Sequence, residues 1–419
     1  MKYNSASRMA LARLRESVVG RLRRWPLAQR LHARWRHRRY DRDVRRFLGD
    51  RSGRANYLPA GVVYEATMRC NLKCAFCYVG DLLNLEGQWR GELSVEALRR
   101  AFPVQKGLQV SLTGGEVFVR KDIEEVLALF RQKGYACGYL TTNGTAITEA
   151  RAAALAGLAR AGFVRHISVS IDGPDELHDA ARGVAGTFAR TAAGLRRLQD
   201  AARASGAPLK VSINTTVTRE SLAALDRMVD VAGNLGVDAI GLNHLMYATP
   251  EEVDQTLKIL GETDRTLIAT FVTPDPGLVP ADVARQVASL EARCRERRIR
   301  FDYRPKVHPG LIESYYTPGT PLRGRCLYPF LNARVGFSGK VYFCPFIRVE
   351  VGDLTKATLG QVWNAPRYVE LRRRLLEREL FPVCRRCCKA ELSPDPVPVA
   401  AAALKGRRML ALTPVGGQR

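Results

Sequence analysis

Cys70-Asn71-Leu72-Lys73-Cys74-Ala75-Phe76-Cys77-Tyr78 sets three thiols at C-x3-C-x2-C spacing within one short stretch. Each ligates as the thiolate, so the stretch forms a looped cage for a soft metal centre. A structural zinc site closes its tetrahedron with four N or S ligands, and no Cys or His follows nearby to supply a fourth. An iron–sulfur cube with one uncapped iron suits three ligands better, because the vacant position can take a substrate. Spacing alone leaves zinc and chance coincidence open.

Working outward, Val62-Val63-Tyr64-Glu65-Ala66-Thr67 is a β-branched run that predicts a strand delivering the chain into the cysteine loop. Ser94 N-caps a helix to about Phe102, and Leu108 to Leu112 reads as a second strand ending in Thr113-Gly114-Gly115-Glu116. Ile123, Val126, Leu127 and Phe130 lie at helical spacing, and Gly134 stops that helix. Further strands are expected at about 136–141, 164–171, 209–217 and 237–242, with helices from about Thr148 and from Ser221 to Leu235. Strands that alternate with helices pair in parallel through right-handed crossovers. Polar residues recur at the strand ends, where α/β barrels build their sites. Two more helices, Glu251 to about Phe271 and Ala281 to about Arg298, are expected to complete the barrel wall, with Cys294 as a surface or packing thiol.

The cysteine loop, followed by an aromatic residue, resembles the signature of the radical S-adenosylmethionine (SAM) enzymes. Gly114-Gly115-Glu116 resembles the motif that holds the SAM amino group in that superfamily. Ser168-Val169-Ser170-Ile171-Asp172-Gly173-Pro174, then His178-Asp179 and Arg182-Gly183, resembles its fourth-strand segment. The resemblance implies a SAM-binding 4Fe-4S cluster on Cys70, Cys74 and Cys77, with SAM contacts from Tyr78 (adenine), Gly114, Gly115, Glu116, Ser170, Asp172 and Arg182. Taken as plain structure, Asp172-Gly173-Pro174 is a strand-end turn, Arg182 a surface ion pair and Phe76 cover for the loop. The implied fold is α/β: a partial (β/α)6 TIM-like barrel, a small C-terminal α+β auxiliary-cluster domain and a basic helical N-terminal arm. The implied chemistry is reductive cleavage of SAM to a deoxyadenosyl radical that abstracts a substrate hydrogen.

A second cysteine set, Cys326, Cys344, Cys384 and Cys387, has four members, with Ser338-Gly339-Lys340 marking a hairpin turn before Cys344. Four thiolates satisfy zinc as readily as iron–sulfur. The order Cys326, Gly339, Cys344, Gly352-Asp353-Leu354, a helix at Trp363 and a final C-x2-C resembles the shortened SPASM extension called a twitch domain, which implies a second, auxiliary 4Fe-4S cluster. Cys388 directly follows Cys387 and competes for the fourth position. A fully thiolate-ligated cluster suits electron acceptance, hence an oxidative modification.

The chain of 419 residues allows two or three domains. These are expected at 1–57 (basic amphipathic arm), 58–300 (radical SAM core), 301–392 (twitch/SPASM-like domain) and 393–419 (flexible tail). Ten cysteines are too few for a disulfide scaffold of this length, and seven fall into ligand-like spacings. That usage indicates a reduced cytoplasmic setting. No apolar run of about 18 residues appears, which argues against a spanning helix. About half of the net +25 charge lies in the first 54 residues, where sixteen arginines flank a stripe of Leu11, Leu14, Val18, Leu22 and Trp25. Such an arm packs on its own domain or makes peripheral contact with an anionic membrane at the inner face; nucleic acid is the less favoured ligand. Expected partners are a small-molecule or lipid-like substrate, with a peptide as the alternative, and an electron donor such as flavodoxin or ferredoxin. A zinc-ribbon nucleic-acid binder and a catalytically silent iron–sulfur carrier are the readings of other classes.

Overall fold

The structure, a computed structural model, describes residues 51–55 and 57–392, so nearly all of the expected basic arm and the tail lie outside the described residues. β1 (Gly61–Thr67) is buried along its whole length and leads into the cysteine loop. After it come α1 (Val95–Ala101), β2 (Gln109–Gly114), α2 (Ile123–Gln132), β3 (Ala136–Thr142), α3 (Glu149–Arg160) and β4 (His166–Ser170). The alternation continues through α4 (Asp175–Arg182), α5 (Thr187–Ser205), β5 (Lys210–Thr216), α6 (Met228–Asn234), β6 (Ala239–Asn243), α7 (Pro250–Leu260), α8 (Pro280–Glu296) and β7 (Arg300–Arg304). Helix starts are fixed locally: Ser94 Oγ accepts from the Ala97 N–H, Thr148 Oγ1 from Arg151, and Thr249 with Glu252 closes a capping box.

The C-terminal region adds β8 (Gly324–Cys326), β9 (Asn332–Val335), β10 (Lys340–Tyr342), β11 (Glu350–Asp353), α9 (Leu359–Trp363), α10 (Pro366–Arg378) and β12 (Ala390–Leu392). β1 to β6 pair in parallel in chain order. β7 joins β6 in parallel at one flank, and β9 joins β1 in parallel at the other. β10 and β11 continue antiparallel beyond β9, so the ten-stranded sheet is open, with ends at β11 and β7. β8 and β12 form a separate antiparallel pair that brings Cys326 opposite Ala390.

The six-unit parallel core is present, and the sheet extends past it on both sides. Burial alternates along the strands: Ile167, Val169 and Ile213 are buried, whereas Ser168, Ser170, Asn214 and Thr216 are half-exposed. The apolar set packs under the helices and leaves a polar, open interior.

Two expected helices are shorter than their apolar spacing suggests. In place of one helix over 221–235 the chain forms one turn (Arg219–Leu222) and then α6, joined by i→i−3 bonds at Ala224, Arg227 and Met228. Ser221 Oγ donates to the Thr216 carbonyl oxygen at 2.6 Å, which ties that turn to the end of β5 instead of to a continuing helix. The helix expected over 251–271 ends at Leu260 because Gly261, at φ +72°, caps it in the left-handed region. Cys294 is a fully buried packing residue.

Candidate active site

The cysteine loop is pinned at four places. The Cys70 N–H donates to Asn84 Oδ1 (2.9 Å), and Asn84 Nδ2 returns a bond to the Cys70 carbonyl (3.0 Å). Asn71 bridges Thr145 Oγ1 (2.8 Å) and Asn143 Nδ2 (2.9 Å). The Lys73 N–H donates to the Arg182 carbonyl at 3.0 Å, and the Cys77 N–H to the Cys74 carbonyl at 3.2 Å. Burial pushes the Cys70 thiol up to about 11, and Cys77 moves the same way. Backbone N–H groups at Leu72 and Val79 nevertheless face those sulfurs and favour the thiolate.

This donor set fits a cluster. Among the described residues no three His, Cys, Asp or Glu side chains converge tightly enough for a single ion. Four thiolates about 2.3 Å from one zinc must nearly touch, whereas the separate irons of a cube hold their thiolates apart. Amide donors aimed at sulfur are also the hydrogen bonds that tune such clusters.

Gly114 and Gly115 lie against the segment between β1 and the cysteine loop. A Cβ on either would overlap the carbonyl of Thr67 or Arg69, and Gly114 sits at φ +135°. The Gly115 and Glu116 N–H groups each donate there at 2.9 Å. The Glu116 carboxylate is buried and accepts from Thr142 Oγ1 (2.7 Å), the Asn143 N–H (2.6 Å) and the Phe118 N–H (3.1 Å). Burial raises its pKa despite those donors.

Ser170 ends β4 opposite Asn214 and is half-exposed on the interior face. Asp172 is buried, pairs with the Arg182 guanidinium and accepts from the Thr216 N–H at 2.8 Å. Burial raises the Asp172 pKa, and Arg182 opposes that shift. Arg182 Nη1 also reaches Cys74 Sγ at 3.6 Å, and its guanidinium lies 5.5 Å from the centre of the Phe76 ring. The chain thus brings Asp172 and Arg182 to the cysteine loop as one connected unit. Phe76 packs beneath that guanidinium.

The second cysteine set is assembled from distant segments. Cys326, Cys344 and Cys384 lie within electrostatic reach of one another, and Cys387 within reach of Cys384 and Cys326. The Ile347 N–H donates to Cys344 Sγ at 3.2 Å and the Lys389 N–H to Cys387 Sγ at 3.3 Å. Burial pushes Cys326 up to about 12 and Cys344 up to about 11, so a metal must displace protons from both. Cys388 instead interacts with Cys387, Lys389 and Arg304. Arg386 fastens this loop: it donates to the carbonyls of Tyr315 (2.7 Å), Thr317 (2.7 Å) and Thr320 (3.0 Å) and to Glu252 (2.9 Å).

Between the two cysteine loops lies a buried ionic triad that the sequence reading did not single out. Glu65 on β1 accepts from Arg334 Nε (2.9 Å) on β9 and from both terminal nitrogens of Arg348 (2.7 and 2.9 Å). Arg334 Nη2 donates onward to the Tyr78 hydroxyl at 3.1 Å, and the Tyr78 ring meets Phe346 edge-on at 5.1 Å. Tyr78 is therefore held by the C-terminal region. Glu65 had one legible signal, a charge inside an apolar strand, which demands a partner. Its partners stand 269 and 283 positions away, and no local pattern names them.

Sequence comparisons agree with this arrangement. The radical SAM superfamily profile matches residues 64–232, and that of the SPASM iron–sulfur cluster-binding domain matches 326–388. The AdoMet-dependent heme synthase of Nitratidesulfovibrio vulgaris is 34% identical over 308 residues, covering 72% of this chain and 78% of that one. The PqqA peptide cyclase of Streptomyces rochei is 32% identical over 190 residues, covering 45% of this chain and 49% of that one. In fold, the crystal structure of Streptococcus suis SuiB bound to S-adenosylmethionine superposes with a TM-score of 0.53 at 18% identity, over 75% of this chain and 68% of that one. These matches replace the zinc-ribbon and silent-carrier readings. The chain is an enzyme that uses SAM, a 4Fe-4S cluster and a further iron–sulfur cluster, and it belongs to the radical SAM superfamily, in the branch with a C-terminal SPASM domain.

Proposed function

We propose that this enzyme oxidatively modifies an anionic small molecule, with iron porphyrins that carry carboxylate side chains as the first class to test. The observation that carries the reading is coverage: likeness to a heme synthase runs over 72% of the chain, whereas likeness to a peptide cyclase runs over 45%. The peptide reading is kept because the cyclase match is of similar identity where it exists.

In this reading Cys70, Cys74 and Cys77 hold the SAM-binding cluster, and Cys326, Cys344, Cys384 and Cys387 the auxiliary one. When bound, the first cluster supplies one electron to the SAM sulfonium. Gly114 and Gly115, closed onto the carbonyls of Thr67 and Arg69, would set their segment beside the cysteine loop for SAM, and Glu116 would shape the end of β3 around the SAM amino group. Ser170 faces the ribose or carboxylate of SAM. Asp172 fixes Arg182 beside Cys74, and Tyr78, clamped by Arg334, borders the adenine. These groups orient and shield, so the gain they supply is positional.

The test is anaerobic incubation of reconstituted protein with SAM, dithionite and Fe-coproporphyrin III. Deoxyadenosine above the porphyrin-free rate, together with a porphyrin product of altered mass, is expected. Deoxyadenosine formed only at the porphyrin-free rate would overturn the small-molecule reading in its porphyrin form.

A further inference from the structure

The Glu65–Arg334–Arg348 triad joins two guanidinium groups to one carboxylate. All three side chains are at most 8% exposed. Burial pushes the Glu65 carboxyl up, but the two arginines outweigh it and hold the group at about 2. The triad therefore keeps an uncompensated positive charge inside the protein at neutral pH. Removing a charge from water is expensive, so an unbalanced set persists only where surrounding groups hold it.

Arg348 lies four positions beyond Cys344, past the turn in which the Ile347 N–H meets the Cys344 sulfur. Its backbone N–H donates to the Leu267 carbonyl at 2.7 Å, and its guanidinium stacks 4.2 Å from the centre of the Tyr342 ring. Both arginines are within electrostatic reach of the Cys344 thiol, on which they act to favour the anion. A cation that stabilises a thiolate also stabilises the extra electron of a reduced cluster held by it. Charges act strongly where water is excluded.

We propose that Arg348, held with Arg334 by Glu65, is a charge-setting residue of the auxiliary site: the net positive triad makes the cluster held through Cys344 easier to reduce. This rests on the assignment of Cys326, Cys344, Cys384 and Cys387 as cluster ligands. Among the described residues Arg348 makes no hydrogen bond to those sulfurs or to Tyr78; its bonds go to Glu65 and the Leu267 carbonyl, so any action on the cluster is through its charge.

The experiment uses the full chain with Cys70, Cys74 and Cys77 replaced by Ala, which leaves one cluster to titrate. Iron and sulfide are counted, and the reduction potential is read by spectroelectrochemistry. Arg348→Met neutralises the triad and is expected to shift the potential to more negative values; Arg348→Lys restores most of it. Glu65→Gln leaves both cations unopposed and is expected to shift it the other way. Unchanged potentials in cluster-loaded Met and Gln variants overturn the proposal, as do shifts of the same sign. Loss of the cluster from both variants also overturns it, because the triad would then serve folding alone. Absence of a cluster from the parent triple-alanine protein would instead refute the ligand assignment, a different failure.

Discussion

Gly183 and Lys73 are packed so closely that a Cβ on Gly183 would stand 2.5 Å from the Lys73 carbonyl oxygen. Gly183 sits at φ +68°, where a side chain is strained whatever the space. The end of α4 is thereby pressed onto the cysteine loop, and the neighbouring Lys73 N–H to Arg182 O bond fixes that contact. Gly183→Val should displace the loop, so that iron and sulfide bound by the N-terminal triad fall several-fold while the SPASM site stays loaded. Iron counts on the variant, alone and combined with Cys326→Ala, separate the two sites.

Arg386 makes the converse prediction for the C-x2-C loop. Arg386→Met leaves the carbonyls of Tyr315, Thr317 and Thr320 without this donor and Glu252 without its closest cation. Stripping one partner from a buried ion pair costs about 3–5 kcal/mol. A lower unfolding midpoint in denaturant titration is expected, with loss of iron from the SPASM site before the N-terminal one.

Two buried histidines set an acid limit on stability. Burial holds His244 down to about 4, with Nδ1 2.7 Å from the Tyr316 hydroxyl. Burial, aided by Arg182, holds His178 down to about 3, and its Nδ1 accepts from the Asp172 N–H at 3.1 Å. The unfolded chain protonates near pH 6.5 and the folded one does not, so each contributes stability that is full above pH 6.5. It is lost as pH falls through about 4 for His244 and about 3 for His178. The slope is about 1.4 kcal/mol per pH unit for each histidine across that window. His244→Gln should flatten the dependence of the unfolding midpoint on pH between 6.5 and 4, even if it lowers stability at pH 7.

Cys326→Ala should split the reaction. Deoxyadenosine formation should persist, whereas modified product should fall at least tenfold, because the auxiliary site has lost a ligand. Equal turnover by the variant and the parent would remove the auxiliary site from the chemistry.

Much of the architecture was legible because the strands that build it are short β-branched or apolar runs ending in polar motifs. Cys70 to Cys77, Gly114-Gly115-Glu116 and Asp172 all follow such ends, Arg182 comes from the last turn of α4, and the structure brings these segments together around the cysteine loop. What was hidden has physical reasons. β7 reads Arg-Phe-Asp-Tyr-Arg, an alternation that leaves its charged residues exposed, and it joins the sheet only through β6. β9 meets β10 through the local hairpin that Ser338-Gly339-Lys340 signals, but its parallel pairing with β1 crosses a long sequence gap that no local pattern bridges. Glu65 and its arginines are the clearest case: the burial of a charge was visible in sequence, and its compensation was not.

The central claim is that the N-terminal triad holds a cluster with an iron open to SAM. It is tested most directly by measuring deoxyadenosine released from SAM by the anaerobically reconstituted full chain under dithionite, beside the Cys74→Ala variant. Release by the parent and none by the variant is the predicted result. No release from a parent protein carrying its full complement of iron and sulfide would contradict the account.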